Sequence, residues 1–435
     1  MLKEIKVEIN NLESFKKKLL NFGNKFDQFI FLDTCNYNKT SSEYNYFEYD
    51  FIGAIGVAKE LKASDASNFE NLSEFNQAHK DWIFGYLSYD LKNETENLAS
   101  LNEDQLAFPE LYFFIPKLTI VSKNQSISAF YNQNYISEKE IKLFLEKIKS
   151  QTISKEKNKN HQLKLKQRYT KKEYIETVEQ LKSHIQIGDV YEINFCQEFY
   201  SETGINPLDT YLKLREISPT PFSCYYKNLN HYLISASPER FLKKKDNKII
   251  SQPIKGTKKR GSTELEDSIL KKELYTDPKE RAENVMIVDL VRNDLSKTAL
   301  KGSVKVEELF GVYSFKQVHQ LISTVVSEIS NDIDIIEVIE KAFPMGSMTG
   351  APKVKAMELI EYYEKSLRGI YSGAVGFITP NKDFDFNVVI RSILYNEIKK
   401  YVSFTVGGAI TSLAIPEKEY EECMIKAKAM IEVLK

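Results

Sequence analysis

The chain has 435 residues, 42% apolar and 12% aromatic, enough to bury one large core or two smaller ones and too apolar for a disordered protein. Lys and Arg number 60 against 61 Asp and Glu, a net charge of -1, so no global basic field draws in nucleic acid or an anionic membrane, and a small ligand is expected. Four scattered cysteines, Cys35, Cys196, Cys224 and Cys423, lack metal-ligand spacing and read as buried fillers; with no signal core at Met1 and no run near the roughly 18 apolar residues of a membrane helix, a cytoplasmic protein is expected.

From Met1 to about Ser150, short apolar runs at 28–33, 81–90, 111–122 and 126–132 predict strands, and 73–80 and 137–150 predict helices. Residues 151–167, rich in Lys, Gln and Asn, read as a surface linker between a first part, 1–150, and a second, 168–435. The second part opens on a capping box, Thr170 with Glu173, and a helix whose apolar positions Ile175, Val178, Leu181 and Ile185 run to Gly188. Alternation over 190–200 predicts a strand with one buried face, and strands follow at 223–227, 231–236, 240–244 and 248–253, close enough to be antiparallel hairpins. Helices at 263–275 and 278–297, strands at 303–310 and 317–329, helices at 333–342 and 352–364, strands at 372–379, 384–394 and 401–406 and a final helix at 416–434 complete the chain. Strands in runs, broken by helical pairs without regular βαβ alternation, predict an α+β fold with helices covering antiparallel sheets.

Several residues could carry chemistry. Glu280 and Glu283 share one helix face, as do Glu419, Glu422 and Lys426; two such carboxylate pairs together suit a hard cation, while each alone reads first as a solvated face. Gly407, Gly408 and Ala409 follow an alternating strand, where small residues admit an anion to backbone N–H groups or simply form a turn. Arg391 within an apolar strand calls for a carboxylate, from ligand or protein. His319 reads as a titrating group or a hydrogen-bonded structural histidine, and 343–353 as an anion-friendly helix start or a capped turn. A buried Glu239 could protonate a leaving hydroxyl and a desolvated Lys255 could attack carbon; the two could equally be a structural pair.

The segments Ser237-Pro238-Glu239-Arg240, Pro253-Ile254-Lys255-Gly256-Thr257, Glu283 through Asp294, Thr349-Gly350-Ala351-Pro352-Lys353 and Tyr371 through Gly376, in that order, resemble the chorismate-binding enzymes. That family contains the large subunits of anthranilate and aminodeoxychorismate synthases, the isochorismate synthases and the salicylate synthases. The likeness is dense from Tyr169 to Lys435 and reaches the first part through Phe84 to Asp90, making 1–150 an anthranilate synthase component I-like subdomain. It implies an α+β sandwich of antiparallel sheets with chorismate and Mg2+ in a central cleft. Within the family, lysine in Pro-Ile-Lys-Gly-Thr marks the aminodeoxychorismate synthases, where anthranilate synthases usually carry alanine; the nearest alternative is thus anthranilate formation for tryptophan.

The resemblance implies that Lys255 attacks C2 of chorismate while Glu239 helps the C4 hydroxyl leave, and that ammonia then adds at C4 and expels the lysine. It places Mg2+ on Glu283 and Glu422 with Glu280 and Glu419 in support, and substrate on Tyr371, Arg391, Lys426 and the backbone of Gly407, Gly408 and Ala409. Gly256, Thr257, His319 and Ser347 match positions lining the cleft. No Gly-x-Cys-x-Gly turn surrounds a cysteine here, so a separate glutamine amidotransferase is expected to supply ammonia, and the product would feed 4-aminobenzoate and folate synthesis. Three departures stand out. Glu192 replaces the glutamine of relatives that aminate and the lysine of those that add water, Ala409 replaces a frequent glycine, and Thr34 replaces a serine in what is, in some relatives, a tryptophan pocket with Leu32, Asp33 and 221–223.

Overall fold

The computed structural model describes residues 1–37, 46–64, 67–96, 98–152 and 163–435. Its strands form two arms joined at one long strand. The first arm runs from Glu192–Glu202 through Tyr401–Thr411, Ser392–Asn396, His231–Ser237, Phe222–Asn228, Gln28–Asp33 and Phe51–Lys62 to Leu111–Lys123. The second leaves Leu111–Lys123 through Ile83–Leu87, Ala374–Ile378, Phe384–Val388, Arg240–Lys245 and Lys248–Gln252 to Val318–Glu328. That last strand also pairs with Ile254–Lys259 and Lys305–Ser314. All these pairings are antiparallel, as the hairpin spacing predicts, and the chain alternates between arms: strands before residue 150 pair with strands after 168 in both.

Period-two geometry explains how the arms stack. Ile30, Tyr226 and Leu233 point into an apolar cluster shared with Phe84, Phe113, Leu242, Val375 and Phe386 of the second arm. Their neighbours Phe29, Phe31, Tyr225 and Ile234 point the other way, into a cluster filled by helices Leu12–Gly23, Glu138–Lys149, Pro207–Ile217 and Pro416–Leu434. A strand buried on both faces reads as a continuous apolar run, which is why these segments show little alternation. The result is the expected sandwich with helical cover. Cys196, Cys224 and Cys423 are buried as expected, but Cys35 is partly exposed. Of the expected linker, 153–162 lies outside the described residues, and Lys166–Gln167 pairs with Phe199 and Tyr200. Among the described residues no helix is long and apolar enough to cross a membrane.

The cleft opens where the two arms' ends approach each other. Arg368, fully buried, clamps that approach: its guanidinium donates to Glu364 Oε2 at 2.9 Å and Oε1 at 2.6 Å, to the Met348 carbonyl at 2.6 Å and to the Asn194 carbonyl at 2.9 Å. Glu364 Oε1 in turn accepts the Cys196 N–H at 2.9 Å. Burial pushes the Glu364 carboxyl up, against the pull of Arg368, so removing the cation strands an acid in the core. Arg368→Met is expected to cost roughly 3–5 kcal/mol in urea unfolding; a loss no larger than that of a surface ion pair, about 1 kcal/mol or less, would deny the clamp that weight.

Candidate active site

Lys255 reaches the cleft because its strand is irregular. Ile254 pairs with Ile322 and Thr257 with Gln320, three residues against two, so one residue is extra at Lys255-Gly256. Gly256 absorbs the bulge at φ 99°, a left-handed conformation that a side chain resists, and a Cβ there would stand 3.0 Å from Glu280 Oε2. The helix Pro278–Ser296 fixes the bulge from outside through Asn284, whose Nδ2 donates to the Lys255 carbonyl at 3.3 Å. Lys255 Nζ then lies 2.8 Å from Glu192 Oε1, across the cleft on the first arm. Burial works to discharge this ammonium, yet Glu192, Glu283 and Glu239 outweigh it and raise its pKa. At rest Lys255 is therefore a cation, not the neutral amine that an attack needs.

Glu239 follows the strand His231–Ser237 and is held by its backbone: its N–H donates to Ser237 Oγ at 3.3 Å and its carbonyl accepts from Val388 at 3.1 Å. The next residue, Arg240, is anchored to Asp385 at 3.0 Å and 3.1 Å and to Gln252. The Ser347 hydroxyl donates to Glu239 Oε1 at 2.6 Å. Burial nevertheless pushes the Glu239 carboxyl up to about 7, with Ser347 and Lys255 pulling the other way. Such a group exchanges a proton near neutrality, as a general acid must.

Four carboxylates form the floor. Glu280 and Glu283 come from Pro278–Ser296, whose first turn is capped by Asp277, and Glu419 and Glu422 from Pro416–Leu434. Burial pushes both Glu280 and Glu283 up to about 7, and raises Glu419. Lys426, 2.8 Å from Glu422, lowers the latter instead. Lys279 sits among them, 3.1 Å from Glu419 and 3.7 Å from Glu283. Among the described residues no three acidic, His or Cys side chains stand in metal-holding geometry. Their donor chemistry does fit a hard divalent cation: all-oxygen ligands, anions strained by burial, and Glu283 Oε1 buried without a hydrogen bond.

The remaining wall comes from the first arm and two chain breaks. Gly407, Gly408 and Ala409 do not follow a strand as expected; they lie inside Tyr401–Thr411, opposite Cys196, Phe195 and Asn194. A Cβ at Gly407 would meet Cys196 Sγ at 2.3 Å, so close packing of two strands, rather than a turn, requires this glycine. Lys426 Nζ donates to the Gly407 carbonyl at 2.9 Å. The expected strand 384–394 breaks after Val388 and resumes at Ser392. Arg391 sits in the break at φ 50°, incompatible with an extended strand, and this bend turns it to the cleft. Lys353 is engaged by Asp294 at 2.8 Å, so Ser347 and Met348 are what the 343–353 segment contributes to the cleft.

Of the residues predicted from sequence, Lys255, Glu239, Gly256, Thr257, Ser347, Tyr371, Arg391, Gly407, Ala409, Lys426 and all four floor glutamates line one cleft. Gly408 turns its open side to the same floor, where a Cβ would stand 3.7 Å from Glu419 Oε2. His319 is a correction. Neighbours on a strand face opposite sides, and on Val318–Glu328 it is Gln320 that enters the cleft, donating to Thr257 Oγ1 at 3.3 Å. His319 points away, 2.9 Å from Asp267 and 2.8 Å from Ser314.

Residues 28–432 match the family described as chorismate binding enzyme. The chain belongs to the chorismate-binding enzymes. As a member of that family it is an enzyme that acts on chorismate. It is 34% identical to aminodeoxychorismate synthase component 1 of Bacillus subtilis over 80% of this chain and 75% of that one. It is 32% identical to anthranilate synthase component 1 of Acetivibrio thermocellus over 85% and 77%. Two plant relatives named as aminodeoxychorismate synthases are longer, and the chain spans 30% and 44% of them. Among solved structures it resembles anthranilate synthase component I of Streptococcus pneumoniae, with TM-score 0.79 and 25% identity over 91% of this chain and 96% of that one.

The cleft of this chorismate-binding enzyme also holds residues that its sequence does not advertise. Lys279, Gln320, Asn194 and Thr405 line the cleft. Lys279 carries one legible signal, the i,i+4 spacing to Glu283; Gln320 could be found only by knowing which face of its strand is inward. Leu32, Asp33, Thr34 and 221–223 line a separate small pocket against Phe47 and Phe377.

Proposed function

We propose that this chain is aminodeoxychorismate synthase component I, replacing the C4 hydroxyl of chorismate with an amino group. One observation carries the reading: Lys255 Nζ stands inside the cleft, delivered by a glycine bulge, with the protonatable Glu239 on the same wall. In the reaction Lys255 first loses a proton, then its nitrogen bonds C2 of the ring. The ring's two conjugated double bonds each shift by one place, to C1–C6 and C4–C5, and the C4 oxygen leaves as water, taking the proton of Glu239. Ammonia then bonds C4 and gives up a proton that restores Glu239, the two double bonds return to their places, and Nζ leaves C2 with its bonding pair. Splitting one displacement into two lets the protein, rather than ammonia, open the ring's reactive position.

Arg391 and Lys426 supply positive charge for the substrate carboxylates, and Tyr371 and Thr257 supply hydroxyls. Glu283 and Glu422 would hold Mg2+, with Glu280 and Glu419 in support, and the ion when bound supplies charge neutralisation for a ring carboxylate. Ammonia is expected from a glutamine amidotransferase partner. Protein supplied with chorismate, Mg2+ and 15N-ammonium is expected to yield labelled aminodeoxychorismate by mass spectrometry. Anthranilate or isochorismate as the main product would overturn the reading.

A further inference from the structure

We propose that Glu192 is a positioning residue for Lys255: its carboxylate is the counterion that pins Nζ in the cleft and sets the pH above which the amine is free to react. Glu192 is 1% exposed, and its backbone is held from both sides, paired with Ala351 and with Thr411. The pairing with Ala351 is possible because Gly350, at φ 154°, lets the chains touch; a Cβ there would lie 2.2 Å from the Glu192 carbonyl. So the carboxylate cannot retreat to solvent. Among the described residues neither of its oxygens has another hydrogen-bond donor, and its one ion pair is the 2.8 Å contact to Nζ. A buried carboxylate without hydrogen-bond donors depends on its cation, and the cation on it.

The other acids acting on Lys255 are Glu239 beyond the strand His231–Ser237, Glu283 on Pro278–Ser296 and Glu422 on Pro416–Leu434, and the cations Lys279, Arg391 and Lys426 line the same cleft. None of these acids makes so short a contact with Nζ. Glu192 thereby exchanges reactivity at neutral pH for a fixed nucleophile geometry. The catalytic meaning of this inference rests on Lys255 being the nucleophile, while its physical content does not.

The test is competitive labelling of the folded protein with acetic anhydride across pH, with Lys255 acetylation read by peptide mass spectrometry and exposed lysines such as Lys172 as internal standards. Wild-type Lys255 is expected to label with a midpoint above that of the exposed lysines. In Glu192→Gln the midpoint falls by about one unit or more, which is about tenfold faster labelling on the low-pH limb. Glu192→Asp, which keeps the charge but draws it back, falls between the two. A midpoint in Glu192→Gln equal to wild type overturns the proposal, and if that variant does not fold, an unchanged midpoint in Glu192→Asp does so. If wild type makes no aminodeoxychorismate while the labelling behaves as expected, the proposed function falls and the role of Glu192 stands.

Discussion

Lys255→Ala is expected to lower aminodeoxychorismate formation from chorismate and ammonium by on the order of 10³-fold or more, because the covalent route is gone and only binding and proton donation remain. The alanine variant carries a second defect. It strands the Glu192 carboxylate without its cation, and breaking a buried pair from one side costs roughly 3–5 kcal/mol. Lost activity could then reflect lost fold. Lys255→Arg separates the two, since a guanidinium keeps the charge beside Glu192 but does not deprotonate to attack carbon. The expected result is loss of amination in both variants, with the melting temperature lowered mainly in the alanine one. Wild-type turnover in a folded arginine variant would remove the lysine from the chemistry.

Glu239→Gln is expected to lower the same rate by about 10²–10⁴-fold, the usual worth of a placed general acid. The amide still accepts the Ser347 hydroxyl bond, so packing around it is kept and proton donation alone is lost. The wild-type pH profile provides an independent check. A donor must be protonated and the Lys255 amine neutral to act, so activity should rise with pH and level off as pH passes about 7, the value to which burial pushes the Glu239 carboxyl. In Glu239→Gln this break should disappear, and what activity remains should go on rising with pH. A break that persists unchanged would belong to some other group.

Much of this was legible in the residues. The hairpin spacing of 223–253 gave antiparallel strands, and the paired glutamates at 280, 283, 419 and 422 landed on one floor because i,i+3 positions share a helix face. What pattern reasoning missed are the places where the backbone departs from its period. Arg391 looked like a strand residue, but a positive φ breaks the strand there. Gly407 and Gly408 looked like a turn, but lie in a strand pressed against Cys196. His319 and Gln320 are adjacent polar residues, and only the register of their strand against Thr257 decides which faces the cleft. The pairing of Lys255 with Glu192 joins residues 63 positions apart on different arms, beyond the reach of any local pattern.

A covalent bond between Lys255 and the substrate ring is open to direct observation. Wild-type protein mixed with chorismate and Mg2+ in the absence of ammonia, acid-quenched within one turnover and digested, is expected to show the peptide containing Lys255 heavier by chorismate less one water. An unmodified Lys255 peptide, under conditions where the same preparation aminates chorismate once ammonium is added, would contradict it.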